Sequence, residues 1–278
     1  MPTLQDRTIL VTGATGGLGL ALSHRLAADG ARVVLHGRDE QRTAAARDEV
    51  AATSGNADRL AVATADLSDL AQVRALADAV ATRFDRLDVL VNNAGVGGGP
   101  PEAPRVFSAD GIELRFAVNY LAGYRLTRLL LPTLRSAAPA RIISVASAGQ
   151  HAIDFADPML DHDYTGMRAY AQSKLAQIMF TLDLAAELPA DEVTANALHP
   201  ATFMNTRMVR EAAVTPVSTV ADGVEATARL VGDPALDGVT GEYFHGTRPS
   251  RALDEAYDPG DRAKLRELSE RLIGQAAT

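Results

Sequence analysis

The chain has 278 residues, with 47% apolar content, 35 acidic against 27 basic residues, a formal charge of −8 and no cysteine. That length and apolar share suit one large α/β unit spanning 1–278 with a packed core. The acidic balance without a Lys/Arg cluster argues against a nucleic-acid partner, and the absence of cysteine excludes disulfides, thiolate catalysis and cysteine-ligated zinc.

The first seven residues carry Asp6 and Arg7 and lack the basic start and apolar core of a secretory leader. Residues 8–12 read as a strand that runs into Thr12-Gly13-Ala14-Thr15-Gly16-Gly17-Leu18-Gly19 and then a helix over 18–29, ended by Gly30. Such a loop is either a tight strand-to-helix turn or a pyrophosphate site, in which glycines permit close backbone approach and helix N–H groups meet the charge. A second strand over 32–36 ends in Gly37-Arg38-Asp39. An acidic residue there would bind a ribose 2′-hydroxyl, whereas Gly37 leaves room and Arg38 supplies charge for a 2′-phosphate. Asp39 could instead pair with the arginine.

Strands follow at 60–64 and 89–92, with a helix over 71–84 between them that Ser68 and Asp69 can cap. Asp66-Leu67 and Asn92-Asn93-Ala94-Gly95 lie just past these strands. Both positions could face a nucleotide, or serve only as a helix cap and a turn. The helical segment 110–134 contains Asn119, and its greasiest part, 126–134, is broken by Arg128 and Pro132 and too short to cross a bilayer. Further strands read at 141–145 and 193–198. Strands that are apolar throughout and alternate with helices predict a single doubly wound α/β domain, a central parallel sheet flanked by helices. A soluble, cytoplasmic chain with no membrane contact is expected.

Ser147 falls just past the fifth strand, and Tyr170-Ala171-Gln172-Ser173-Lys174 lies inside a helical run over 167–188. A spacing of four puts Tyr170 and Lys174 on one helix face, where the ammonium can favour the ionised form of a phenol whose ordinary pKa is about 10. Between serine and tyrosine lie His151, Asp154, Asp157, Asp161, His162 and Asp163. They match no defined ligand spacing, so a solvated loop with helix caps is expected and no metal.

Taken in order, these motifs resemble the short-chain dehydrogenase/reductase family from about residue 4 to 244: Thr12, Gly13, Gly17 and Gly19; Asp66; Asn92 to Gly95; Asn119; Ser147; Tyr170 with Lys174. Leu198-His199-Pro200-Ala201 resembles the family's late His-Pro-Gly turn with Ala201 in place of glycine, and Thr206 comes one residue late. The 23 residues from Ser147 to Tyr170 are similar to the retinol-dehydrogenase-like and related bacterial branches. The resemblance implies a Rossmann fold and NADP(H) held by Gly13, Thr15, Gly16, Gly17, Leu18, Gly19, Arg38, Asp66, Leu67, Asn93, Ala94, Gly95, Tyr170, Lys174, Pro200 and Thr202. It also implies that Tyr170 gives a proton to a carbonyl substrate and Ser147 orients the carbonyl oxygen. Lys174 would bind the nicotinamide ribose and lower the tyrosine pKa, and Asn119 would hold a water of the proton relay. Alcohol oxidation runs the same groups in reverse, and a homodimer or homotetramer is implied.

A catalytically silent NADP(H) sensor on the same fold is the alternative, against which the intact Asn119, Ser147, Tyr170 and Lys174 set argues. An epimerase or dehydratase would call for a longer substrate region after Phe244. Residues 150–168 and 202–217, the latter with Phe203, Met204, Met208 and Val209, are expected to overhang the cleft and favour an apolar or aromatic carbonyl.

Overall fold

A computed structural model describes residues 4–276; the ends of the expected single unit, 1–3 and 277–278, lie outside the described residues. The chain opens with β1 (Thr8–Val11), α1 (Gly17–Ala28), β2 (Arg32–Gly37), α2 (Glu40–Ser54), β3 (Leu60–Thr64), α3 (Leu70–Arg83) and β4 (Val89–Asn92). A π-helical turn (Phe116–Leu121) leads into α4 (Ala122–Arg135), followed by β5 (Ala140–Val145), α5 (Gly166–Glu187) and β6 (Val193–His199). The chain closes with α6 (Arg207–Glu211), α7 (Val220–Gly232), β7 (Tyr243–His245), β8 (Arg248–Ser250) and α8 (Pro259–Ala276).

One sheet runs in the order β3-β2-β1-β4-β5-β6-β7-β8, parallel throughout except for the antiparallel β7–β8 pair. The chain winds outward from β1 to β3, then returns to β4 on the other side of β1. The carboxyl ends of β1 and β4 therefore diverge around a crevice, the place where open α/β sheets bind ligands.

Burial on both faces follows from the period of two along each strand. Leu10, Val34, Leu90 and Ile142 point into a core shared with α3, α4, α5 and α8, whereas Ile9, Val11, Val33, Leu35, Val89 and Val91 point into one shared with α1, α2 and α7. The helix expected from residue 110 starts later, because Phe107 and Glu113 first form a short antiparallel bridge. Asp69 caps α3 as expected, accepting from the backbone of Ala71 and Gln72. The antiparallel β8 adds one edge strand to the expected central parallel sheet. The three-residue β7 and β8 are too short to show periodicity, so the sequence gives no signal for them.

The C-terminal helix α8 packs against α5 and α3 and is tied by side chains to the π-helical turn and α4. Its Ser269 hydroxyl shares a 2.6 Å hydrogen bond with Tyr120, Glu270 accepts from Tyr124, and Arg262 and Arg266 pair with Asp183. Among the described residues no helix is long and apolar enough to cross a membrane.

Candidate active site

The glycine loop is shaped by close approach. Gly13 sits at φ +67, and a Cβ there would lie 2.8 Å from Ala94 Cα. A Cβ on Gly19 would run into the Gly13 carbonyl and come within 2.6 Å of Asn93 Nδ2. Asn93 donates through that nitrogen to Thr12 O at 2.8 Å, while Thr12 Oγ1 accepts from the Asn93 and Ala94 amides at 2.9 and 3.0 Å. The loops after β1 and β4 are thus lashed into one rim. Helix α1 begins at this rim after Gly16, with no side-chain cap and no acidic residue in its first turn among the described residues. Those N–H groups and their dipole suit a phosphate, so the loop fits a dinucleotide. Leu18 turns its side chain into the core, leaving its backbone for any cofactor contact.

At the end of β2 the two readings of Asp39 separate. Its carboxylate accepts from the Arg42 amide at 2.8 Å and caps α2, while Arg38 is exposed and forms no ion pair among the described residues. Thr15 lies against Gly37, whose position a Cβ would bring to 2.5 Å from the threonine methyl. Asp66 spends one carboxylate oxygen on the Ser68 amide and hydroxyl, at 2.9 and 2.8 Å, and Leu67 is buried in the core. Asp66 therefore does not cap α3, a place taken by Asp69; it turns the chain at Ser68 through one oxygen. Buried His36 joins the same rim: Nδ1 accepts from the Gly13 amide at 3.3 Å, and Nε2 bonds Ala65 O at 3.1 Å. Burial lowers its pKa to about 4, so the ring is neutral.

Asn119, Ser147, Tyr170 and Lys174 converge on the carboxyl ends of β4 and β5. Ser147, just past β5, accepts from the Gly149 amide at 3.0 Å, and the Tyr170 hydroxyl faces it closely enough for Ser147 to favour the ionised phenol. Burial raises the Tyr170 pKa above the ordinary phenol value, and the Ser147 hydroxyl facing it works against that rise. Lys174, one turn along α5, donates to Val145 O at 2.9 Å and to Gln177 Oε1 at 2.8 Å, with its nitrogen 5.7 Å from the Tyr170 ring centre. Burial pulls its pKa down to about 7. The ammonium is thus held by a strand carbonyl and an amide rather than by the phenol. Gly95 lies within reach of both arms of the cluster: a Cβ there would be 3.6 Å from Lys174 Nζ and 3.3 Å from Asn119 Oδ1.

Asn119 sits in the π-helical turn, a distortion common at functional sites. Its amide clamps Val96, accepting from the backbone N–H at 2.6 Å and donating to the carbonyl at 3.0 Å, and it also donates to Ser173 Oγ at 2.9 Å. Both Nδ2 hydrogens are used, which leaves a lone pair on Oδ1 for a water.

Pro200 is buried at the end of β6, and Thr202 is exposed with its hydroxyl 3.0 Å from His199 Nε2. Thr206 reaches the glycine loop, 3.5 Å from where a Cβ on Gly17 would stand. The residue that is late in sequence therefore flanks the start of α1. Phe203, Met208 and Met167 stay exposed around the opening, at 49%, 36% and 54%. Among the described residues no group of His, Cys, Asp or Glu is arranged to hold a metal.

Sequence reasoning missed Gln177, Tyr243 and Arg115. Gln177 lies three residues past Lys174, a spacing that could have signalled it. Tyr243 donates to the Ser147 carbonyl at 3.0 Å from a strand too short to read in advance.

The sequence model of the family described as short chain dehydrogenase matches residues 7–216. Mouse retinol dehydrogenase 14 is 34% identical over 98% of this chain and 87% of its own length. Human dehydrogenase/reductase SDR family member 13 is also 34% identical, over 99% of this chain and 75% of its own. Among solved structures, an uncharacterised protein from Mycobacterium paratuberculosis superposes with a TM-score of 0.80 at 29% identity, covering 99% of this chain and 96% of that one. The Pseudomonas aeruginosa RhlG/NADP active-site complex superposes with a TM-score of 0.71 at 29% identity, over 87% and 95%.

Proposed function

The chain belongs to the short-chain dehydrogenase/reductase family, and from that premise we propose that it is an NADP(H)-dependent ketone or aldehyde reductase, equivalently an alcohol dehydrogenase, with Tyr170 as general acid and base. The observation that carries this reading is the Tyr170 hydroxyl facing Ser147 beside buried Lys174, at the strand ends where a nicotinamide fits. When bound, the nicotinamide supplies or accepts the hydride. In reduction Tyr170 gives its hydroxyl proton to the carbonyl oxygen, and Ser147 Oγ, itself fixed by the Gly149 amide, orients that oxygen. Lys174, with a pKa near 7, can restore the proton at neutral pH. Asn119 holds the Val96 backbone in place and keeps one lone pair for a relay water.

NADP(H) is favoured over NAD(H) by exposed Arg38 and by Asp39 being occupied as a helix cap; Gly37 leaves no open room, since a Cβ there would collide with Thr43 Oγ1 and lie 2.5 Å from the Thr15 methyl. The RhlG structure, a relative with NADP in its active site, agrees with this preference. An apolar carbonyl or alcohol is favoured by Met167, Phe203 and Met208 around the opening, and several relatives are named for retinol. A cytoplasmic, single-unit protein is part of the same proposal, read by cell fractionation and by one thermal transition. A homodimer or homotetramer is part of the same proposal. Sedimentation of the whole chain tests it.

The function is tested by following NADPH absorbance across a panel of ketones and aldehydes. Turnover of apolar members is expected, with NADPH bound more tightly than NADH. No turnover on any member, or tighter NADH binding, would overturn the respective part of the reading.

A further inference from the structure

Arg115 and Glu113 are a buried ion pair that the chemistry above does not use. Their side chains are 6% and 2% exposed, with a nitrogen-to-oxygen distance of 3.2 Å. Glu113 is spent locally: its other oxygen accepts from the Arg115 and Phe116 amides at 2.8 and 2.9 Å. Arg115 reaches outward. Nε donates to Gly97 O and Nη2 to Gly98 O, both at 3.0 Å, while Nη1 donates to the Tyr164 hydroxyl at 2.6 Å. Tyr164 closes the ring on Glu113 Oε1 at 3.3 Å.

Burying an ion pair costs desolvation on both sides, which good geometry and further hydrogen bonds must offset. Here the further bonds of Arg115 go to two segments that pack directly against each other, 97–98 and the stretch ending at Tyr164. One turn along the same helical run, Asn119 holds Val96 by both backbone groups. Val96, Gly97 and Gly98 are therefore fixed one after another by side chains from a single helix.

The second loop is the end of the stretch before α5. Tyr164 belongs to it, and at Gly166 a Cβ would collide with the Gly98 carbonyl. Two exposed methionines stand against the glycine strip. A Cβ on Gly97 would be 2.7 Å from Met208 Cγ, and one on Gly98 would be 3.1 Å from Met167 Cα.

We propose that Arg115, braced by Glu113 and Tyr164, is a positioning residue for substrate selection. It locks the strip 96–98 to the start of α5 and so fixes the wall that Met167 and Met208 present to the bulky apolar part of a carbonyl substrate. The inference rests on the carbonyl-reductase reading of the site. Arginine is required because its planar fork serves two adjacent carbonyls and a hydroxyl at once, which one ammonium cannot do.

The test compares the whole chain with Arg115→Lys, which keeps the charge opposite Glu113 but loses the fork, and with Tyr164→Phe, which leaves the ion pair whole. Amide hydrogen exchange is measured over 96–99 and 160–168, together with steady-state kinetics on a bulky aryl ketone and a small aliphatic one, and NADPH affinity. Both variants should exchange faster in both segments. For Arg115→Lys the KM of the bulky ketone should rise about tenfold, the size of a lost charge-assisted hydrogen bond, with a smaller rise for the small ketone. NADPH affinity should hold.

An ion pair serving only fold stability would be rescued by lysine, so unchanged exchange in both segments overturns the proposal. A parallel fall in NADPH affinity overturns it too, because the strip would then serve the cofactor. If the parent chain reduces no ketone, the functional reading fails by itself, and the exchange data alone decide whether Arg115 locks the two loops.

Discussion

Replacing Lys174 with methionine is expected to remove a pH dependence from folding stability. The side chain is 4% exposed, and burial takes its pKa from 10.5 down to about 7. Between these values the folded chain holds the lysine neutral while the unfolded chain keeps it protonated. The unfolded state then binds one more proton, so stability rises with pH by about 1.4 kcal/mol per pH unit. The penalty is present in full below pH 7 and relieved by pH 10.5, and over that interval it sums to about 5 kcal/mol. Methionine is similar in shape but leaves Val145 O and Gln177 Oε1 without their donor, a cost of about 1–3 kcal/mol each that does not vary with pH. The slope is therefore the quantity to compare. Denaturant unfolding of both proteins from pH 6 to pH 10 gives it, because the other titrating groups are common to the two. The stability of the parent relative to Lys174→Met should climb with pH across this range. Parallel curves would mean that the lysine stays charged in the fold, and the proton-return role assigned to it at neutral pH would fall.

Arg38→Ala should weaken NADPH binding by about tenfold, as expected for one lost charge-assisted contact, and leave NADH almost unaffected in a fluorescence titration. Equal loss for both cofactors would place Arg38 away from the 2′-phosphate. Phe203→Ala with Met208→Ala should change the ranking of kcat/KM among apolar ketones while NADPH affinity is kept. An unchanged ranking would move the pocket away from residues 202–217.

Much of the site was legible because its motifs are local. The glycine loop follows its strand directly, and Tyr170 and Lys174 share one helix face by spacing alone. What the side chains bind was less legible, since the partners lie far off in sequence. Lys174 answers to Val145 O, 29 residues away, and Arg115 finds its acceptors at Gly97, Gly98 and Tyr164. An arginine within an apolar helical pattern gives no hint of such a role. Asp66 reads equally well as a nucleotide contact or a cap, and only tertiary placement shows that Asp69 is the cap while Asp66 Oδ1 accepts from the Ser68 hydroxyl at 2.8 Å. The parallel order followed from apolar strands alternating with helices. The short β7 and β8 and the packing of α8 against α5 and α3 depend on tertiary contacts that no periodicity encodes.

The central claim, that Tyr170 transfers the proton in an NADP(H)-dependent carbonyl reduction, is tested most directly by Tyr170→Phe. This change removes one hydroxyl, the group that faces Ser147. NADPH oxidation is followed with the best ketone of the panel for both proteins, alongside NADPH affinity. The account predicts a fall in kcat of at least about 100-fold, the lower end for general acid catalysis, with cofactor affinity retained. Turnover within a few-fold of the parent would contradict it.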